Sequence, residues 1–275
     1  MKTILVTGAT DGIGGQTALD LALQGHRVIV HGRDPARVEL ARQTLIEGSG
    51  NPRIEVVVAD FASLDAVRAM GEELAARFET VDVLVNNAGV YARSLEHTRD
   101  GFESTFGINH LAPFLLTHLL LDRLKASKAG RVVNVSSVAH GRGVLDFENL
   151  QAERGFSAYP VYALSKLCNV CFTVELARRL GLASRVTVNA LHPGVVSTKL
   201  LREGFGMSGG DSLADGAATS VLLATSAEVA QVTGQYFSDG REAPMNPVVE
   251  DRRATARLYA RSCKMVGIEG LPAVG

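Results

Sequence analysis

Ile4-Leu5-Val6-Thr7-Gly8-Ala9-Thr10-Asp11-Gly12-Ile13-Gly14-Gly15 opens the chain as an apolar run ending in a glycine-punctuated turn. The run 4–7 predicts a strand. Leu19, Leu21, Ala22 and Leu23 then carry helical spacing, so the turn joins a strand to a helix. Glycines at 8, 12 and 14 permit a tight turn, close backbone approach to a pyrophosphate, and close helix–strand packing. The helix N-terminus adds unpaired N–H groups and its positive dipole end. The spacing is G-x-x-x-G-x-G rather than G-x-G-x-x-G, so an ordinary glycine-rich turn stands beside the dinucleotide reading.

Further apolar, β-branched runs lie at 27–31, 54–59, 81–85, 131–135, 185–191 and 235–237. Most are continuously apolar, as in parallel strands covered on both faces. Helical spacing separates them: Val38, Ala41, Leu45 and Ile46, then Val67, Met70, Leu74 and Phe78. Later helices are predicted over 101–125, 160–180, 213–226 and 249–263, with Pro160 suited to a first helical position. The alternation predicts a Rossmann-type α/β fold: one doubly wound sheet of about seven mostly parallel strands with helices on both faces. The whole chain, 1–275, reads as a single dinucleotide-binding and catalytic domain. Two irregular stretches, 141–158 and 195–211, are long enough to be functional loops.

Composition narrows the partners. With 28 Lys+Arg against 29 Asp+Glu the net charge is −1, without the basic excess of a nucleic-acid or membrane-surface binder. Hydrophobic residues at 46% supply a substantial core. Three cysteines build no disulfide framework and point to a reducing, cytoplasmic setting. No apolar run reaches the ~18 residues of a membrane span, and residues 1–8 are too short for a signal peptide. Cys168-x-x-Cys171 falls within the predicted 160–180 helix and reads as core. His110, His118, His140 and His192 show no metal-ligand spacing, so no metal is expected.

The end of the second strand, His31-Gly32-Arg33-Asp34-Pro35, bears on the choice of nucleotide. Asp34 before Pro35 is a helix start, which leaves Arg33 beside the positive helix end. A bound phosphate reverses that unfavourable placement, so Arg33 favours NADP(H) over NAD(H). A solvated surface arginine is the alternative.

Tyr162-Ala163-Leu164-Ser165-Lys166 puts a phenol and an ammonium four residues apart on one helix face. A neighbouring cation favours the phenolate and suits the tyrosine to proton transfer; alone, such a pair also fits a solvated helix face. Partners gather at the carboxyl ends of the strands, where open α/β sheets bind ligands. They are Asp60-Phe61, Asn86-Asn87-Ala88-Gly89, Asn134-Val135-Ser136-Ser137 and His192-Pro193-Gly194, with Asn109 inside a helical stretch.

Taken in order, TGATDGIG (7–14), Asp60, NNAG (86–89), Asn109, Ser137, YALSK (162–166) and PGVVST (193–198) resemble the short-chain dehydrogenase/reductase family over essentially the full chain. VVNVSSVAHGRG, YALSKLCNVCFTVELARRL and the 25-residue gap from Ser137 to Tyr162 are similar to its retinol-dehydrogenase-like branch. The resemblance implies Tyr162 as general acid or base, Ser137 as the group orienting the substrate oxygen, and Lys166 as the ribose ligand that lowers the phenol pKa. It implies that Asn109 supports a water in a proton relay. It places Gly8, Thr10, Asp11, Gly12, Ile13 and Gly14 around the pyrophosphate, and Asp60 and Phe61 by the adenine. Asn87, Ala88 and Gly89 would follow the ribose–pyrophosphate path, and Pro193, Val196 and Thr198 would meet the nicotinamide.

The implied activity is NADP(H)-dependent interconversion of an alcohol and a carbonyl. Val144, Leu145, Phe147 and Phe156 in one loop, and Leu200, Leu201, Phe205 and Met207 in the other, suggest an apolar pocket for a lipophilic substrate. Their other reading is loops pinned to the sheet. Gly204, Gly206, Gly209 and Gly210 would let the second loop act as a lid. The competing functional readings are a catalytically silent NADP(H)-sensing protein of the same fold and a reductase acting on a C=C bond. The resemblance also implies a homo-oligomer, since helices matching 101–125 and 160–180 pack into oligomer interfaces in many members of that family.

Overall fold

The computed structural model describes residues 1–181 and 183–272. Strands β1 (Thr3–Val6), β2 (Arg27–Gly32), β3 (Ile54–Val58), β4 (Val83–Asn86), β5 (Gly130–Val135), β6 (Val186–His192) and β7 (Tyr236–Ser238) pair in parallel in the order β3-β2-β1-β4-β5-β6-β7. The Rossmann-type doubly wound sheet is therefore borne out. The continuous apolar runs arise because both sheet faces are covered: Leu5, Ile29, Leu84 and Val132 enter one core, while Ile4, Val6, Val28, Val83 and Val133 enter the other.

An eighth strand, β8 (Arg241–Glu242), pairs antiparallel with β7. Asp239 and Gly240 turn the chain with φ of 51° and 72°. Asp-Gly is a two-residue hairpin signal, and it was there to be read in the sequence.

Nine helices are found among the described residues. On the first half lie α1 (Gly12–Leu23), α2 (Pro35–Ser49) and α3 (Leu64–Arg77). Asp34 caps α2 as predicted, accepting from the Ala36 and Arg37 N–H groups. The predicted 101–125 helix is divided into α4 (Ser104–Phe106), a π-helical turn (Gly107–Leu111), α5 (Ala112–Leu119) and α6 (Leu121–Ala126). Pro113 accounts for the first interruption: it has no N–H to offer the Asn109 carbonyl, and the turn widens there. Helix α7 (Ala158–Leu180) begins two residues before Pro160. The proline therefore sits at the third helical position, where an N–H still has no intrahelical acceptor. Helices α8 (Leu213–Thr225) and α9 (Arg252–Val266) complete the set.

Helix α9 packs across α5 and α7. His118 Nε2 lies 2.7 Å from the Tyr259 hydroxyl, and His110 Nε2 lies 2.8 Å from Ser262 Oγ. The chain's own C-terminal helix thus covers part of the faces expected to serve self-association. Cys168 and Cys171 are buried core residues, as predicted. No described helix is long and apolar enough to cross a membrane, and no group of His, Cys, Asp and Glu suited to a metal occurs among the described residues.

Two buried imidazoles link this core to pH. Burial pushes the pKa of both His31 and His110 down from 6.5 to about 4. The unfolded chain binds protons below 6.5 that the native chain refuses, so stability is full above that pH and falls as pH drops toward 4. The expected loss is on the order of 3 kcal/mol per imidazole across that window. Urea denaturation at pH 7 and pH 4.5 should show it as a clear drop in midpoint; equal midpoints would contradict it.

Candidate active site

The strand order reverses between β1 and β4, and at the carboxyl ends of the strands there opens a cleft of about 850 Å³. Its floor is the glycine turn. Gly8 and Gly12 have φ of +64° and +57°, and a Cβ on Gly8 would stand 2.9 Å from the Ala88 Cα. A Cβ on Gly14 would meet Gly8 O and Asn87 Nδ2, each at 2.3 Å. Thr7 Oγ1 accepts from the Asn87 and Ala88 N–H groups, and Asn87 Nδ2 donates to Thr7 O and Gly8 O. The ends of β1 and β4 are thus tied together without side-chain bulk. Asp11 caps α1 by accepting from the Gly12 N–H, and Gly12, Ile13 and Gly14 at that helix start line the cleft. The glycines let the turn pack closely on β4 and α1 while its backbone lines the cleft, an arrangement that fits a pyrophosphate.

At the far end Asp60 and Phe61 line the cleft beside Arg33 and Arg37. Asp60 accepts from the Ala62 N–H and lies 3.6 Å from Arg99. Arg33 is exposed. Arg37, at the start of α2, reaches Asp11 at 3.4 Å with both side chains more than half exposed. Two cations therefore flank the site expected for a ribose phosphate.

The other end holds the reactive groups. Ser137 follows β5 and takes the Ala139 N–H on its hydroxyl. Tyr162 and Lys166 come from the first turns of α7, and Lys166 Nζ stands 5.6 Å from the Tyr162 ring centroid. Lys166 is buried and donates to Val135 O at 3.0 Å, while its own carbonyl accepts from Ser136 Oγ. Burial pushes the Tyr162 phenol up to about 12, with the Ser137 hydroxyl pulling the other way. Burial also pulls Lys166 down to about 8. Desolvation dominates the phenol because Tyr91 and Phe205 cover the ring, their ring centroids 5.3 Å away each.

Asn109 is buried rather than in the cleft wall. Its Oδ1 accepts from the Val90 N–H at 2.7 Å, and its Nδ2 donates to Val90 O and Ser165 Oγ. It nevertheless approaches the site from behind: a Cβ on Gly89 would lie 3.3 Å from Asn109 Oδ1 and 3.5 Å from Lys166 Nζ.

Residues 2–208 match the family model described as short chain dehydrogenase. The chain belongs to that family. It is 42% identical over 283 residues to retinol dehydrogenase 13 of Homo sapiens, covering 98% of this chain and 85% of that one. Retinol dehydrogenase 14 of Mus musculus is 42% identical over 289 residues, with 97% and 86% covered. Among solved structures, an uncharacterised protein from Mycobacterium paratuberculosis superposes with a TM-score of 0.83 at 33% identity, covering 99% and 95%. A short-chain dehydrogenase from Escherichia coli CFT073, solved with NADPH, gives 0.73 at 25% identity, covering 87% and 97%. These relatives place the chain in the retinol-dehydrogenase-like branch as an oxidoreductase of alcohols and carbonyls served by a nicotinamide nucleotide, and do not favour a silent sensor.

For this short-chain dehydrogenase the remaining expected residues fall into place around the same cleft. Thr10, Ile13, Gly89, Pro193, Val196 and Thr198 all line it. The loops divide. Segment 195–211 walls the cleft through Leu200, Leu201, Phe205 and Met207, and contains a π-helical turn at Leu200–Gly204. No residue of 141–158 lines it: Leu145 and Phe147 pack on the core, and Arg257 lies 4.1 Å over the Phe147 ring. Leu145 and Phe147 thus follow the pinning reading, whereas Val144 is 74% exposed. Arg37, His31, Tyr91 and Tyr159 escaped the sequence reading although all four line the cleft. Arg37 had a signal, an Arg-x-x-x-Arg spacing around the α2 cap. Tyr91, two residues past NNAG, had only its position.

Proposed function

We propose that this chain, acting as one domain over residues 1–275, is an NADP(H)-preferring dehydrogenase/reductase that interconverts a lipophilic alcohol with its aldehyde or ketone. The convergence of Tyr162, Ser137 and Lys166 at the nicotinamide end of the cleft carries the reading. Bound reduced nicotinamide supplies the hydride. The Tyr162 O–H, held protonated at neutral pH, donates its proton to the carbonyl oxygen, and in alcohol oxidation the phenolate takes it back. Ser137 Oγ hydrogen-bonds the same oxygen and fixes its direction. The Lys166 ammonium binds the nicotinamide ribose, and Asn109 supports the path that returns a proton to Tyr162. Arg33, with Arg37, supports the choice of NADP(H), and the E. coli relative solved with NADPH is consistent with it.

The lipophilic substrate is supported by the aromatic wall and by the names of the retinol dehydrogenase relatives. Phe205 lies 4.3 Å from Tyr91 and 5.3 Å from Tyr162, ring to ring. Phe205→Ala should raise KM for long apolar aldehydes about tenfold, through lost burial, and change KM for short ones little. Equal changes across chain lengths would remove this wall from substrate binding. A cytoplasmic setting is supported by Cys168, Cys171 and Cys263, all free and buried. Self-association into a homo-oligomer would have to use surface outside residues 112–117 of α5 and 161–176 of α7, which are buried within the chain itself.

The deciding experiment follows nucleotide oxidation across aldehydes, ketones and retinoids, with NADPH and NADH in parallel. Turnover of apolar carbonyls, faster with NADPH, is expected. No turnover with either nucleotide would overturn the proposal.

A further inference from the structure

His31 sits at the end of β2 with 3% of its surface exposed, and the chemistry described so far makes no use of it. Its Nδ1 accepts from the Gly8 N–H at 3.2 Å, and its Nε2 lies 3.0 Å from Ala59 O. A carbonyl can only accept and an amide N–H can only donate, so these two partners select one protonation state: neutral, with the hydrogen on Nε2. The ring also stacks on Phe61, centroids 4.4 Å apart and planes 24° from parallel. Gly8 is the left-handed residue that starts the dinucleotide turn, and its carbonyl is taken from the opposite side by Asn87 Nδ2 at 3.2 Å. Ala59 immediately precedes Asp60 and Phe61, which form the ledge at the far end of the cleft.

One imidazole therefore joins the pyrophosphate end of the cleft to its adenosine end. From this geometry we infer that His31 is a positioning residue for nucleotide binding: it holds the Gly8 turn and the Asp60–Phe61 ledge at the separation a dinucleotide must span. The inference rests on the nucleotide site proposed above and extends it to a residue that touches the turn through backbone atoms. Buried backbone groups left without a partner are costly, so the Gly8 N–H and Ala59 O depend on this side chain.

His31→Phe keeps the stacked ring and removes both hydrogen bonds. It should raise the Kd for NADPH about tenfold, raise KM for NADPH in parallel, and leave kcat at saturating nucleotide within about a factor of two. His31→Gln, which offers an amide oxygen and an amide N–H, should recover part of the affinity. Nitrogen-15 imidazole shifts of the unliganded wild type should report the Nε2–H tautomer at pH 7, and Gly8 amide exchange should accelerate in His31→Phe. An unchanged Kd in His31→Phe overturns the inference, including the case in which only Tm falls, because that is a purely structural role. An Nδ1–H tautomer overturns it as well, and that readout stands even if His31→Phe does not fold. A wild type that binds neither nucleotide sinks the proposed function instead, and the tautomer and Gly8 exchange then judge the His31 clamp by themselves.

Discussion

Tyr162→Phe should lower kcat by about three orders of magnitude or more while leaving the Kd for NADPH within about threefold. The substitution removes one oxygen. The ring keeps its contacts with Tyr91 and Phe205, so the cleft wall survives, and the cradle at Gly8, Gly12 and Gly14 is untouched. What disappears is the proton donor at the carbonyl oxygen. Ser137 remains as a hydrogen-bond donor, but an alkanol hydroxyl is too weak an acid to replace a phenol. Burial raises the phenol to about 12, so at neutral pH the group is in its donor form, the form carbonyl reduction requires. Raising the pH increases the phenolate fraction, so alcohol oxidation should climb with pH in the wild type. In the phenylalanine variant that climb should vanish. Steady-state rates across pH, with nucleotide affinity measured separately, test both statements. Turnover within tenfold of wild type would remove Tyr162 from the chemistry.

The double substitution Arg33→Ala, Arg37→Ala should weaken NADPH binding by about two orders of magnitude and NADH binding by less than about threefold. Each guanidinium can give charge-assisted hydrogen bonds to a 2′-phosphate, worth ~1.5–3 kcal/mol apiece, whereas a free 2′-hydroxyl has no charge to meet. Arg37 now pairs with Asp11, but both side chains are largely exposed, and an exposed pair is weak. The arginine is therefore free to turn toward a phosphate at little cost. Arg37→Ala alone should produce a smaller loss of selectivity than the pair. Titration of each nucleotide by fluorescence would measure the ratio directly, and an unchanged preference would refute the assignment of these arginines.

The sequence by itself determined the parts that local rules govern. Continuous β-branched runs alternating with helical spacing specify a parallel sheet, because a strand covered on both faces is mostly apolar and its few polar side chains need buried partners. The glycines of the first turn are legible because their conformation and clearance admit no side chain. Tyr162 and Lys166 announce themselves through helical periodicity, and Asp34 through its cap.

Only the tertiary structure decided what depends on elements distant in the chain. Arg37 comes to Asp11 because α2 starts next to the α1 turn, and Phe205 covers Tyr162 because a loop after β6 folds back over α7. His31 reads as one more residue of a strand until Gly8 and Ala59 are placed on either side of it. The 141–158 loop carries the apolar residues of a pocket, yet its Phe147 meets Arg257 of α9 across more than a hundred residues of chain. The phenol's high pKa belongs with these. It is set by how much of the ring its neighbours take out of water, and burial is a property of packing in three dimensions.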